Sequence, residues 1–431
     1  MMLRLLCFGI VWLVAACGAA ETPSAQVLTP EVTEIVPTVA PTLTTTGAPT
    51  AEPTIEQPVT LNIWFPEQLA PLDNEDAADL LSEQISAFQT ANANVEVSFR
   101  LKSTADAGGI MSTLRSANAV APGAVPDLTL MRRADLIMAV QLGLIEPITE
   151  ARAAAVLGNL HSGVAALGRV DERLYGLPYN VEVQHLALQV GTSEASTLSY
   201  SDILDEEIEF VFSAGRTNTL SDLFLAQYRV AAGMLDANGL TIEVDALRDT
   251  LNFYERAVNA ELIAPIVLEY TTSENYAEAL AQGTVNAGVV TSSQYLNLLS
   301  RDVELDYAAI PTQSGEPATV VDGWAWVVTT ADAERQTVAL RFLNWMLDAN
   351  RQSEYNRAIH MLPSQRTALR LAEDSEYAAF VDALLNRSTL PLLDSDSATA
   401  GRVIQSALAS VLSGRRTAAE ATQDILTQLA G

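Results

Sequence analysis

Residues 319–350 read TVVDGWAWVVTTADAERQTVALRFLNWMLDAN. From Thr319 to Thr329 the β-branched and aromatic side chains predict a strand. Within it Asp322, Gly323 and Trp324 set a carboxylate, a bare backbone position and a large aromatic side by side. The second half predicts a helix, because Val338, Phe342, Trp345 and Met346 recur at helical spacing. Nothing in the stretch resembles a catalytic device. A Gly-Trp pair opening a buried strand suits a surface that holds a small polar molecule by ring stacking and hydrogen bonds.

Upstream of this strand the chain alternates strands and helices. Val59, Leu61, Ile63 and Phe65 fall on one face of a strand that Pro66 stops. A helix around 76–90 carries Leu81, Ile85 and Phe88 on one face, and Val95, Val97, Phe99 and Leu101 alternate again as a strand. A helical segment with Met111 and Leu114, a loop over 121–126, a short strand from Asp127 to Met131 and a helix that stops at Gly143 complete the series. This order predicts an α/β fold, a mostly parallel sheet with helices on its faces. Such sheets bind small ligands beyond the C-terminal ends of their strands. That rule points to Trp64 and Glu67 and to Met131 and Arg132.

Arg173 to Asn180 contains Gly176 and Pro178 and reads as an irregular extended segment, followed by a strand from Val181 to Val190. Here the chain is expected to cross to a second lobe. A crossing segment lies at a cleft floor, which makes Tyr179, Asn180 and Glu182 candidates to face a ligand. Half-buried packing is the other reading of Tyr179. The second lobe is predicted to hold a strand at Ile208–Phe212, helices near 219–234 and 245–262, a helix from Ser273 to Gly283 and a strand from Val285 to Val290. The hydroxyls of Thr291-Ser-Ser-Gln294 cap the next helix or, with its free N–H groups, meet a ligand; the two roles are compatible. A strand covers Leu305–Pro311, and from Ala368 the chain reads as largely helical. Thr417 and Glu420 have capping-box spacing at the last helix.

Residues 1–17, MMLRLLCFGIVWLVAAC, hold one cation, Arg4, before an apolar run from Leu5 to Val14. The run is too short to span a membrane, which takes ~20 apolar residues, and reads as a secretion signal. Its Val14-Ala15-Ala16-Cys17 ending resembles a bacterial lipobox, in which cleavage leaves the cysteine as a lipid-modified N-terminus. An ordinary signal with an incidental cysteine is the alternative. Cys7 would leave with the signal, so neither a disulfide nor a cysteine metal site is expected. Residues 18–58 are dominated by Thr, Pro, Ala and Glu and read as a tether without a core of its own. The net charge of −29 argues against nucleic acid as a partner and against wide contact with an anionic membrane surface. Lys102 is the only lysine, which reads as a compositional bias.

Four phrases carry a family resemblance: VTLNIWF at 59–65, DLTLMRRADLIMAVQLGLIEPIT at 127–149, RLYGLPYNVEVQHLAL at 173–188, and YAEALAQGTVNAGVVTSSQY at 276–295. In this order, with the Gly-Trp strand and its helix after them, they resemble bacterial extracellular solute-binding protein family 1, the maltose-type carbohydrate-binding lipoproteins of ABC importers. The resemblance spans roughly 59–431. It implies a two-lobed periplasmic-binding-protein-like fold with discontinuous lobes that close on a hinge. The expected division is 59–180 plus 305–355 for the first lobe and 181–304 plus 356–431 for the second. The family's ligand positions fall near Trp64, Glu67, Met131, Arg132, Asn180 and Glu182, and in the later part near Ser292, Gln294, Asp322, Gly323 and Trp324. Maltose-type members carry an aromatic where this chain has Gln294, which leaves other sugars, polyols or sugar phosphates open. The implied partners are a small sugar, ABC permease subunits and the membrane through lipid on Cys17. The resemblance also implies a monomer, lipid-anchored outside the cytoplasm, that needs no cofactor or metal.

Two rival readings remain at this point. An enzyme would need a site, and His161, His185 and His360 have no metal or nucleophile spacing. Paired carboxylates such as Glu206 and Glu207 would suffice for glycoside hydrolysis, but sequence cannot place them together. The other rival keeps the fold and presents the ligand to a membrane receptor instead of a permease.

Overall fold

The computed structural model describes residues 58–429 apart from 71–73, 106–107, 121–124, 233–234, 237–238, 241 and 394. The expected signal, Cys17 and all but the last residue of the tether lie outside the described residues.

Strand β1 (Val59–Pro66) buries Leu61, Ile63 and Phe65 completely. Each such side chain contributes roughly 1.5–3 kcal/mol on leaving water. β1 pairs in parallel with β2 (Val95–Lys102) on one side and β3 (Leu128–Arg132) on the other. The helix Glu75–Ala91 joins β1 to β2. Asn74 caps it, accepting from the Ala77 N–H at 2.9 Å, and its amide donates to the Ala358 carbonyl at 2.7 Å. The helix Arg133–Gln141 follows β3 directly and gives way to Gly143, whose φ of +63° is a conformation open to glycine.

The remaining strands follow in chain order. A hairpin of β4 (Arg169–Val170) and β5 (Arg173–Leu174) leads into β6 (Gly176–Gln189), the longest strand. Then come β7 (Phe210–Val211) and a second hairpin, β8 (Leu235–Asp236) with β9 (Gly239–Leu240). β10 (Ala287–Thr291), β11 (Leu305–Ala308), β12 (Thr319–Val328), β13 (Leu362–Pro363) and β14 (Ser388–Thr389) complete the set. Ten of them join one sheet with the path β2-β1-β3-β12-β6-β10-β7; β11 and β13 also pair with β6, and β14 with β12.

Strand β6 belongs to both halves of this path. Its first part pairs antiparallel with β12, and Gln184–Leu188 pair antiparallel with β10. The segment expected to be irregular before Val181 is therefore strand from Gly176 onward. The irregularity is confined to a shift of register, where Trp324 faces Asn180 but Ala325 faces Pro178. Proline has no N–H for the ladder, so a shift at that point wastes no donor. The skipped carbonyl, that of Tyr179, accepts from the Gln352 side-chain amide at 2.6 Å.

Two of the expected lobe boundaries meet local structure. A break at 355/356 falls inside the continuous helix Ala349–Ala358. Residues 305–308 pair with Leu186–Gln189 at the far end of β6, the part that also pairs with β10. The capping box at Thr417 and Glu420 is present, with Thr417 N–H to Glu420 at 2.9 Å and Glu420 N–H to Thr417 Oγ1 at 3.2 Å.

One large core packs Trp326 against Phe65, Tyr179 and Phe342. The other gathers Phe212, Phe224 and Tyr254 between the helices Asp222–Ala232, Val244–Asn259, Ser395–Leu412 and Ala418–Leu429. His185, on β6, is fully buried among Tyr295, Tyr377 and Phe380. Its Nδ1–H donates to the Leu186 carbonyl at 2.9 Å, which leaves Nε2 to accept from the Tyr377 hydroxyl at 3.0 Å. Burial pushes its pKa down from 6.5 to about 4. A neutral folded histidine and a protonated unfolded one mean that its contribution to stability is intact above pH 6.5 and is lost as the pH falls toward 4. The expected loss is on the order of 3 kcal/mol. Urea unfolding of wild type and His185→Gln at pH 7.5 and 4.5 checks it: the wild type should lose more stability on acidification, and equal losses would remove His185 as the cause.

Candidate functional site

Arg132, Glu182 and Asp322 meet because of strand register. Asp322 on β12 stands opposite Glu182 on β6, and like charges in facing positions repel. Arg132, the last residue of β3, stands opposite Trp324 one strand away. Its guanidinium bonds one Glu182 oxygen and lies 3.4 Å from Asp322. The other Glu182 oxygen accepts from the Ser293 hydroxyl at 2.5 Å. Burial opposes charge on Arg132, but Glu182 and Asp322 outweigh it and hold the guanidinium protonated. Burial raises Asp322 above the usual carboxylate range, against the pull of Arg132. The chain Arg132–Glu182–Ser293 thus runs from the end of β3, across β6, to the first turn of the helix Ser292–Ser300.

This network lies on the wall of a cleft of about 1500 Å³. The sequence-derived candidates divide around it. Arg132, Glu182, Gln294, Asp322 and Trp324 line the cleft. Trp324 is only 5% exposed, and Arg132 sits 5.4 Å above its ring. Trp64 is buried beside Met131, and the Lys102 ammonium covers its ring at 4.7 Å. Glu67 is exposed in the turn after β1 and does not line the cleft; its neighbours Gln68 and Leu69 do. Tyr179 is fully buried between Trp326 and Tyr355, which is the packing reading. Asn180, also buried, accepts the Trp324 N–H at 3.2 Å and so fixes the backbone at the register shift. Gly323 has no room for a Cβ, which would overlap the Asn180 carbonyl.

The Thr291–Gln294 phrase divides its hydroxyls. Thr291 caps the helix, accepting from the Gln294 N–H at 3.3 Å. Ser292 is buried and accepts the Val183 N–H at 3.3 Å. Ser293, part of the phrase read as capping or ligand-meeting but not the serine named as a ligand position, is the one that faces the cleft. Asp222, Asp135, Gln68 and Thr104 were also missed; Asp222 follows a polar run, 213–221, that carries no periodicity to mark it. Among the described residues no group of three His, Cys, Asp or Glu side chains is placed to hold a metal, and no helix is long and apolar enough to cross a membrane.

Two lobes sharing their crossing strands, with a polar cleft at the junction, define a binding-protein architecture. Residues 83–381 match the family described as bacterial extracellular solute-binding protein, and the chain belongs to that family. Solved structures agree on the fold. The sugar-binding protein MalE from Xanthomonas citri superposes with a TM-score of 0.68 at 15% identity, covering 86% of this chain and 96% of that one. A cyclo/maltodextrin-binding protein complexed with maltotetraose gives 0.68 at 14% identity, covering 88% and 98%. A solute-binding protein of an ABC transporter from Thermotoga lettingae, bound to α-D-tagatose, gives 0.62 at 17% identity, covering 86% and 98%. No curated protein sequence matches the chain significantly.

Proposed function

We propose that this protein captures a small carbohydrate or related polyol in the cleft and delivers it to the permease of an ABC importer. The observation that carries the reading is the wall of the cleft, where Glu182, Asp322 and Ser293 converge on the junction of the lobes in a chain of this family. Carboxylates and hydroxyls of this kind accept and donate hydrogen bonds to sugar hydroxyls. The similar structures are named for maltose, maltodextrin or tagatose, which supports sugar as the class of ligand. A cleft of about 1500 Å³ exceeds the roughly 300–1,000 Å³ of a ligand pocket. Hinge closure would bring the walls onto the solute, and only contacts made with both lobes favour the closed state.

We divide the lobes at the crossing strands, with β2, β1, β3 and the first half of β6 on one side and β10, β7 and β11 on the other. Sugar phosphates fit poorly. Arg132, the guanidinium at the centre, is already paired with two carboxylates, and an added phosphate would compete with both. The test is a thermal-shift screen of the chain against neutral sugars, polyols, sugar phosphates, amino acids and peptides. A saturating ligand at a hundredfold its Kd stabilises by about 2.7 kcal/mol and raises Tm accordingly. Shifts with peptides or amino acids alone would overturn the carbohydrate assignment.

Cys17 is the proposed lipid attachment point, with 18–58 as the tether to the membrane. In Cys17→Ser the protein should leave the membrane fraction; unchanged membrane association would refute lipid anchoring at this residue.

A further inference from the structure

The charges around the cleft are strongly unequal. Its guanidiniums are Arg132, Arg216 and Arg301. Each is engaged: Arg132 by Glu182 and Asp322, Arg301 by Glu278 at 3.2 Å, and Arg216 by the Thr271 carbonyl at 2.8 Å. Against them, Asp135, Glu182, Asp222 and Asp322 line the inner part. Glu75, Asp76 and Glu274 line it as well, all exposed.

Asp222 differs from the other inner carboxylates. It begins the helix Asp222–Ala232, yet among the described residues no side chain donates a hydrogen bond to it and no cation pairs with it. It is half-buried, and it opens to the main cleft and to a smaller adjoining cavity of about 300 Å³. Asp322 lines both spaces as well. Burial pushes Asp222 up to about 6; the nearby charge of Arg216 lowers it, and Asp322 raises it. A half-buried carboxylate without a partner is held at a free-energy disadvantage that a bound cation lessens. Asp322 is paired but not fully compensated, because Arg132 is divided between it and Glu182.

We propose that the cleft prefers a ligand bearing a protonated amine, an amino sugar, with the ammonium between the carboxylates of Asp222 and Asp322 and the hydroxyls on the polar groups around Glu182 and Ser293. This rests on the binding-protein reading above and narrows the ligand class of the same site. The amine satisfies the unpaired carboxylate, while Ser293, Gln294, Thr272 and Asn74 on the cleft wall suit hydroxyls better than a bare polyamine chain.

The test is calorimetric titration at pH 7 with glucosamine and its β-1,4-linked dimer. Glucose, cellobiose and the N-acetylated forms serve as the neutral series, and putrescine as an amine without a sugar. The expected result is that an amino sugar binds at least tenfold more tightly than both its hydroxyl and its N-acetyl counterpart. In Asp222→Asn the ratio should fall below about threefold, and Asp222→Glu should keep part of it. Reading a ratio separates the effect from any general loss of fold, which a melting curve of each variant records. Neutral sugars binding as tightly as amino sugars would overturn this inference and leave the proposed function standing. Putrescine binding as tightly as the amino sugar would overturn the sugar half of the inference. Failure of every ligand in both series to bind would overturn the inference and remove support from the carbohydrate reading together.

Discussion

Gly323→Ala is expected to destabilise the protein by about 3 kcal/mol or more, an unusually large effect for one added methyl group. The Cβ would overlap the Asn180 carbonyl oxygen, with the Val181 Cα also at 3.0 Å, and both obstacles are backbone. A flexible side chain can swing aside from such a contact; a paired strand cannot. Relief requires β6 and β12 to part next to the register shift, which is where Asn180 fixes the Trp324 N–H. The same parting would displace Asp322 and Glu182, so ligand binding should fall along with stability. Chemical denaturation checks the first effect, and a midpoint equal to that of the wild type would show that the strands have slack the structure does not display.

Trp324→Ala should lower stability by about 3–5 kcal/mol, as truncation of a buried tryptophan does. The ring is 5% exposed and belongs to the core that also holds Trp326 and Phe65. Its relation to the ligand is indirect in this conformation, because Arg132 lies over the ring and Arg132 carries the carboxylate pair. Affinity should therefore fall because the guanidinium loses its support. Trp324→Phe, which keeps an aromatic face beneath Arg132, should recover most of both losses. If Trp324→Ala melts like the wild type and loses only affinity, the ring is a stacking platform and the supporting role assigned here is mistaken.

The alternation of Val59–Phe65 and the strand–helix order that follows were readable because one buried face repeats every second residue. The Asp322-Gly323-Trp324 phrase was placed in its strand, but its glycine was read as a bare surface for a ligand; an isolated Gly within a β-branched run can instead mark a close approach of backbone, and the structure has one there. The residues that build the cleft were less legible. Trp64 and Tyr179 look like stacking platforms in sequence, but whether an aromatic shows its face to a cleft depends on partners far along the chain. Lys102 covers the first, and Trp326 and Tyr355 enclose the second. The choice between Ser292 and Ser293 turns on helix phase at a single residue, which local pattern does not resolve. Asp222 had no signal at all, since an unpaired carboxylate is defined by what is missing around it. β13 and β14, two residues each, lacked the length for any periodicity to register.

The central claim is that the solute sits on the carboxylates at the junction of the lobes. Calorimetric titration of the best ligand from the screen into wild type and Asp322→Ala tests it most directly. Asp322 is 32% exposed and its pairing with Arg132, itself 41% exposed, is worth little to the fold, so Tm should barely move. Removing a charged acceptor from the ligand should weaken binding by roughly 1.5–3 kcal/mol, more than tenfold. An affinity within twofold of the wild type would place the solute elsewhere and contradict the account.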